Sequence, residues 1–215
     1  LFFLRKDVHP ESNSMILKIF FYGSLAAIPV ILIELGFSQE ITKFPFSADF
    51  YLVFNIFIGV ALVEEVFKYL VVKWKVLDSP EFDEPLDVML YMIIAALGFA
   101  ALENLLILFS SRPPFYETFL ISGLRFVGAT FLHALVSGLF GYFIALSFFE
   151  PEKRLKFFSS GLGLAVLLHG LYNFSIIEIG GNLRFLIPVI ILISLAFAAS
   201  FGFQRLKKLA SICKI

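Results

Sequence analysis

Long apolar runs separated by short polar segments are the dominant pattern of the chain. A transmembrane α-helix needs about 20 mostly apolar residues, because each residue adds about 1.5 Å and the hydrocarbon core is about 30 Å thick. Six runs reach that length, and the fourth is long enough to be tilted. They cover residues 15–35, 50–72, 86–109, 119–149, 155–177 and 183–203. The pattern therefore predicts an all-α polytopic membrane protein with six complete transmembrane helices.

The composition agrees with this prediction and indicates which classes of partner to expect. Of the 215 residues, 60% are hydrophobic and 16% are charged, whereas soluble domains are about 45–50% apolar and about 25% charged. The formal net charge is zero, so nothing indicates nucleic-acid binding, and the lipid bilayer is the first predicted partner. Cys213 is the single cysteine, which excludes a disulfide within the chain and argues against a cysteine-based metal site or nucleophile.

The distribution of Lys and Arg between the predicted loops indicates the orientation of the chain. Cytoplasmic loops of membrane proteins carry an excess of these residues. Twelve of the 17 lie on the side that holds both chain ends, and three lie in the opposite loops. The twelve are Arg5, Lys6, Lys18, Lys73, Lys75, Lys153, Arg154, Lys156, Arg205, Lys207, Lys208 and Lys214. We therefore expect a multi-pass protein of the cell membrane with both ends of the chain in the cytoplasm.

The chain is predicted to form a single transmembrane helical domain over residues 1–215. Residues 1–4 are apolar and precede basic residues, as at the inner end of a transmembrane helix, so a helix stump is expected there. The domain divides into a cytoplasmic segment (1–14), a six-helix core (15–206) and a cytoplasmic tail (207–215). The chain has no visible inverted repeat, which argues against a transporter.

Three charged residues lie within the second predicted span. Glu64 and Glu65 are adjacent, and Lys68 follows one helical turn later, so the three side chains share roughly one helix face. Charged groups inside a bilayer are costly and usually functional. One interpretation is a catalytic acid–base site, and the other is a structural ion pair that joins helices.

Further polar residues occur at similar depth in three other predicted spans. Glu103 and Asn104 lie in the third span, His133 in the fourth, and His169 and Asn173 one turn apart in the fifth. All lie within about two turns of the middle of their spans, so neighbouring helices can bring them to one level. Taken singly, each can be explained by helix packing or an interhelical hydrogen bond, with Glu103 the hardest to explain in this way, and together they indicate a shared site.

This set of side chains suits metal-assisted hydrolysis of a peptide bond. Two histidines and a carboxylate form a ligand set of catalytic zinc sites, and a further carboxylate can take a proton from the water that the metal acidifies. The His-Glu-x-x-His motif of soluble zinc proteases is absent, as is the Gly-x-Ser-x-Gly motif of serine hydrolases. A metal-free site of glutamates and histidines is the alternative chemistry.

Four motifs, in this order, resemble those of the PrsW intramembrane proteases. They are Glu64-Glu65-Val66-Phe67-Lys68, Gly98-Phe99-x-x-x-Glu103-Asn104, the mid-span His133 and His169-x-x-x-Asn173. Residues 5–11 also resemble the family's first cytoplasmic loop, which follows an additional helix. In the wider group, which includes the CAAX-prenyl endopeptidases, a histidine stands at the position of Glu103. The resemblance thus leaves His133 to supply a further histidine ligand.

The resemblance implies a membrane-embedded metalloprotease that cleaves a single-span membrane protein or peptide, such as an anti-sigma factor, on its extracytoplasmic side (site-1 cleavage). The catalytic candidates are Glu64, Glu65 and Lys68, without a distinction between the two glutamates. The candidate zinc ligands are Glu103, His133, His169 and Asn173, with one of the two adjacent glutamates as an alternative ligand. A catalytically inactive scaffold or peptide-binding protein of the same fold is the competing hypothesis, because the wider group includes a non-catalytic scaffold subunit.

Overall fold

The computed structural model describes residues 11–79, 82–111 and 115–212. These residues form helices joined by short turns, and no β-strand occurs among them. The elements are α1 (Asn13–Ile41), α2 (Ala48–Phe54), a π-helix (Asn55–Leu62), α3 (Val63–Lys75), α4 (Pro85–Ser111), α5 (Phe115–Phe149), a 3-10 turn (Pro151–Lys153), α6 (Arg154–Glu178) and α7 (Leu183–Ile212). The predicted helix stump at residues 1–4 and Cys213 lie outside the described residues.

Six helical stretches of the described chain are long and apolar enough to cross a membrane, which confirms the predicted fold class. α2, the π-helix and α3 together form one of these stretches, Ala48–Lys75. Several helices extend beyond the predicted apolar runs. α1 begins at Asn13 because the Ser12 hydroxyl accepts a hydrogen bond from the Met15 backbone N–H at 3.2 Å, and it continues through Pro29 to Ile41.

The second span contains a feature that the hydrophobic pattern did not predict, the π-helix Asn55–Leu62. π-helices are rare and are frequent at functional sites. A side chain on Gly59 would collide with the ring of Phe37 on α1, and one on Gly170 of α6 would collide with the ring of Phe57. The π-helix is thus packed closely between α1 and α6, and it leads directly into α3, which carries Glu64.

α4 lies at the centre of the bundle and packs most extensively against α1 and α5. At its crossing with α1 the two backbones nearly touch, because a side chain on Gly98 would collide with the backbone carbonyl of Phe20 and one on Gly23 with that of Ala95. The Ser24 hydroxyl donates a 2.8 Å hydrogen bond to the Gly98 carbonyl at the same crossing. Small residues thus allow these two helices to pack closely.

Large apolar side chains cover the outside of the helices. Among the residues whose side chains the structure describes, thirty large apolar ones are exposed, mostly on α1, α6 and α7, with Leu155 the most exposed at 79%. A soluble protein rarely exposes a contiguous apolar surface of this extent. The surface is the one that a lipid-embedded bundle requires, since hydrocarbon solvates apolar side chains and every backbone polar group within a helix is already bonded.

Candidate active site

The carboxylates of Glu64 and Glu65 and the ammonium of Lys68 form a buried ion cluster on the first turns of α3. Glu64 is 3% exposed, and Glu65 and Lys68 are both 0% exposed. Lys68 Nζ donates to Glu64 Oε2 at 3.0 Å and to Glu65 Oε1 at 2.8 Å. The i,i+4 and i,i+3 spacings put the three groups on one face, as the sequence predicted.

Lys68 connects this cluster to α5 and α4. Its Nζ lies 2.7 Å from His133 Nδ1 on α5. The same ammonium lies 4.6 Å from the centre of the Phe99 ring on α4, within the range of a cation–π interaction. One buried cation therefore joins three helices, which explains how a lysine is tolerated at this depth.

Glu65 is bonded through both of its carboxylate oxygens. Its Oε1 lies 3.0 Å from His169 Nδ1 on α6, and its Oε2 accepts a 2.8 Å hydrogen bond from the Ser137 hydroxyl on α5. Glu64 is held less tightly. Apart from its contact with Lys68, its Oε2 lies 3.4 Å from His133 Nδ1 and 4.0 Å from His169 Nε2. The two adjacent glutamates thus have different surroundings.

Glu103 and the two asparagines occupy more peripheral positions. Glu103 Oε2 lies 3.0 Å from His133 Nε2, the ring nitrogen that does not contact Lys68. The amide of Asn104 donates to the Thr130 hydroxyl at 3.1 Å, away from the ion cluster. Asn173 is half-buried one turn after His169, and its side chain makes no hydrogen bond within the described part of the chain.

The donor set that the structure brings together could hold a metal ion. One donor atom each of Glu64, Glu65, His133 and His169 lies within 4.8 Å of the other three, and all four residues are buried. A tetrahedral site with bonds of about 2.1 Å spaces its ligand atoms about 3.4 Å apart, so the donors would have to move closer together and the Lys68 ammonium, which contacts three of them, would have to move aside. Both imidazoles also have a carboxylate on the other ring nitrogen, an arrangement typical of metal-bound histidines.

Two residues near the site were not predicted. Ser137 follows His133 by one turn, so its position on the same face of α5 was a usable signal. Glu34 of α1 is half-buried, and the charges of Glu64, Glu103 and Lys68 act on it. The signal for Glu34 was a carboxylate just inside the end of the first predicted span, and its significance depends on where α1 lies against α3.

Comparison with known proteins gives one consistent result. The model of the PrsW family of intramembrane metalloproteases matches residues 11–199. A Protease PrsW of Geobacillus kaustophilus (strain HTA426) is 32% identical over 173 residues, which cover 80% of this chain and 71% of the relative. A Protease PrsW of Bacillus subtilis (strain 168) is 27% identical over 212 residues, which cover 98% of this chain and 89% of the relative. No solved structure gives a significant match to the chain.

The family match extends over all six membrane-spanning stretches except the end of the last, and it includes every residue of the ion cluster. The resemblance of the four motifs is thereby confirmed. The competing hypothesis of an inactive scaffold has no support from these relatives, which are named as proteases. The chain therefore belongs to the PrsW family of intramembrane metalloproteases and is a multi-pass, membrane-embedded protease.

Proposed function

We propose that this protease activates water between Glu64, Glu65, His133 and His169, with a zinc ion as its metal. The observation that carries the proposal is the convergence of two carboxylates and two imidazoles, from α3, α5 and α6, within 4.8 Å in a buried position. Peptide hydrolysis needs a base for the water and a polarised scissile carbonyl, and this cluster offers donors for both functions.

Glu64 is the proposed general base. Glu65 receives hydrogen bonds on both oxygens, including one from the Ser137 hydroxyl, so its orientation is fixed and suits a group that holds other groups in place. Glu64 makes fewer hydrogen bonds and is free to reorient toward a water molecule. A base must reach hydrogen-bond distance of the proton that it takes, and Glu64 has that freedom.

His133, His169 and one of the two glutamates are the residues proposed to hold the zinc ion. Glu65 accepts from His169 Nδ1, which leaves the lone pair on His169 Nε2. The Glu103 carboxylate lies 3.0 Å from His133 Nε2, which favours a proton on that nitrogen and the lone pair on His133 Nδ1. A bound zinc ion would polarise the scissile carbonyl and activate water. We therefore propose that Glu103 orients His133 and that Asn173 lies on the substrate side of His169.

Lys68 is proposed to keep Glu64 and Glu65 ionised and to stabilise negative charge that develops on the substrate. Its ammonium contacts three of the four donor groups, at 2.7 to 3.0 Å. Metal binding through these donors would therefore require Lys68 to release at least some of its contacts. Lys68 and the metal then compete for the same lone pairs, and Lys68 neutralises the carboxylates whenever the metal is absent.

The proposed substrate is a single-span membrane protein, such as an anti-sigma factor, cleaved on its extracytoplasmic side. This rests on the motif resemblance together with the 12 Lys and Arg on the side that holds both chain ends. The same orientation makes residues 1–14 and 207–215 cytoplasmic segments around the six-helix core.

The direct test is the double variant Glu64→Gln, Glu65→Gln, reconstituted with a panel of single-span membrane proteins that includes anti-sigma factors. We expect cleavage to fall at least about 100-fold, since a general base contributes about 10²–10⁴-fold. Glu40→Gln, an exposed carboxylate of α1, is the matched control and should retain full activity. Wild-type cleavage by the double variant would overturn the mechanism.

The metal is tested separately from the base. Purified protein should contain one zinc per chain by elemental analysis, and chelation should remove both the zinc and the activity. A protein that cleaves its substrate without bound metal, and equally in the presence of a chelator, would replace the zinc site with a metal-free glutamate–histidine site.

A further inference from the structure

A cavity lies away from the ion cluster, where the end of α3 faces the end of α5 and the start of α6. Its volume is about 520 Å³, within the range of cavities that hold small molecules. Lys73 and Leu77 line it from the α3 side, Ser147 from α5, and Arg154 and Phe158 from α6. The cavity is therefore a gap between three helices at the level where the second span ends and the fifth begins.

Two cations face this cavity without a carboxylate partner. Neither Lys73 nor Arg154 forms an ion pair within the described part of the chain. Glu152 also lines the cavity, so the lining carries two positive charges and one negative charge. The nearby Glu150 is already paired with Lys153. The cavity thus presents a net positive charge and two free N–H donor groups, which favour an anion.

The rest of the cavity wall is mostly apolar and is exposed on the outside of the bundle. Leu155, which also lines it, is 79% exposed, and the half-buried Phe158 packs edge-on against Tyr69 with ring centres 5.0 Å apart. A ligand here can therefore contact cations at the membrane end of the bundle and hydrocarbon-facing side chains beside it. That combination matches an amphiphile whose charged group is negative.

We propose that this cavity binds the phosphate headgroup of an anionic phospholipid, with Lys73 and Arg154 on the phosphate and the acyl chains along Leu155. Basic pockets between transmembrane helices bind such headgroups, particularly on the cytoplasmic side, which is where the proposed orientation places this end of the bundle. Each cation is expected to contribute about fivefold to affinity, because one basic residue near a membrane surface contributes about that factor.

The site is connected to the ion cluster through side-chain packing. Tyr69 directly follows Lys68 on α3, and its ring lies 5.7 Å from that of Phe140 on α5. Phe140 is one turn after Ser137, the residue that hydrogen-bonds Glu65. A bound phospholipid would therefore stabilise the position of α3 against α5 and α6. Its loss would shift the side chains of the ion cluster.

The test uses Trp74, the single tryptophan, which is next to Lys73 and 63% exposed. The full chain in neutral detergent is titrated with brominated phosphatidylglycerol or brominated phosphatidylcholine, and quenching of Trp74 fluorescence is followed. We expect phosphatidylglycerol to bind at least about tenfold more tightly. The double variant Lys73→Gln, Arg154→Gln should lose about 25-fold in affinity for phosphatidylglycerol, about fivefold per cation.

Lys156→Gln is the matched control, because Lys156 is exposed on the same turn of α6 but does not line the cavity. The affinity of this control variant for phosphatidylglycerol should change less than about twofold. Circular dichroism and thermal unfolding of all variants confirm that they are folded. Equal quenching by the two lipids, or an unchanged affinity of a folded double variant, would overturn the proposal. Loss of the quenching on addition of millimolar inorganic phosphate would identify free phosphate as the ligand and would equally overturn the proposal.

Discussion

The ammonium of Lys68 lies 2.7 Å from Nδ1 of His133, while Glu103 lies 3.0 Å from Nε2 of the same ring. His133 is therefore held between a cation and a carboxylate, and both ring nitrogens have a defined partner. A neutral imidazole with its proton on Nε2 would suit both contacts, because Nδ1 could then accept from Lys68. The ring thus links the ion cluster on α3 to the carboxylate on α4.

Replacing Lys68 with Met should destabilise the metal-free protein. The substitution keeps most of the length of the side chain but leaves Glu64 and Glu65 buried without their cation, and breaking a buried ion pair in this way costs about 3–5 kcal/mol. Thermal unfolding in detergent, with chelator and with added zinc, measures the effect. Zinc should restore more stability to the variant than it adds to the wild type, because the ion takes over the neutralising role.

The matched control for this prediction is Lys43→Met. Lys43 also pairs with a glutamate one turn away, but that pair is exposed, so its loss should change stability by less than about 1 kcal/mol. If Lys68→Met unfolds at the wild-type temperature in the presence of chelator, the ammonium is not what keeps the carboxylates buried.

Ser137→Ala should lower activity while leaving the fold intact. The hydroxyl donates to Glu65 Oε2, and a hydrogen bond to a charged acceptor contributes about 1.5–3 kcal/mol, which corresponds to roughly a tenfold or greater effect if it acts in the transition state. Steady-state cleavage gives the change in kcat/KM. Ser175→Ala removes another buried hydroxyl, one that donates to the Tyr172 carbonyl outside the cluster, and should leave kcat/KM unchanged. Equal losses in the two variants would contradict the role of Ser137.

Glu103→Ala should weaken zinc binding without abolishing it. A carboxylate that orients a ligand histidine typically contributes about 10–100-fold to metal affinity, whereas a direct ligand is required for tight binding. Competition with a chelating dye measures the affinity, and Glu40→Ala on the outside of α1 is the control. A complete loss of binding in Glu103→Ala would move Glu103 from the orienting role to the ligand set.

Gly98→Ala should disrupt the crossing of α1 and α4. The added methyl group would meet the backbone carbonyl of Phe20, which cannot move aside as a flexible side chain does, so we expect a loss of about 1–3 kcal/mol. Gly36→Ala is the comparison, because a side chain there meets nothing within 4 Å and alanine favours the helix. Folded yield and thermal unfolding should fall for Gly98→Ala and stay equal or rise for Gly36→Ala.

The fold class and the members of the ion cluster could be predicted because both follow from the cost of polar groups in hydrocarbon. That cost makes apolar runs continuous and makes each exception, such as Glu64 or His169, conspicuous. Because these polar residues lie at a similar depth in their spans, neighbouring helices such as α3, α5 and α6 can bring them together. The same reasoning also found Glu103, but it could not distinguish a metal ligand from a residue that lies beside Nε2 of His133, the ring nitrogen that does not contact Lys68.

Ser137 and the cavity near Arg154 were not predictable to the same degree. A serine within a span ordinarily hydrogen-bonds to its own helix, so Ser137 is conspicuous only once Glu65 is known to face it. The cavity arises from how the ends of α3, α5 and α6 diverge. Those relationships depend on tertiary packing and have no periodic signature in the chain.

The π-helix has a consequence for how the second span should be read in mutational scans. Each turn of Asn55–Leu62 takes up more residues than an α-helical turn, so side chains before and after the segment are rotated relative to a helical wheel drawn at 3.6 residues per turn. A scan through Ala48–Lys75 should therefore show two periodic patterns of sensitive positions with a break in phase between them. Conversion of the segment to an α-helix of the same length would turn the Glu64 face away from its partners, although the composition of the span would be nearly unchanged.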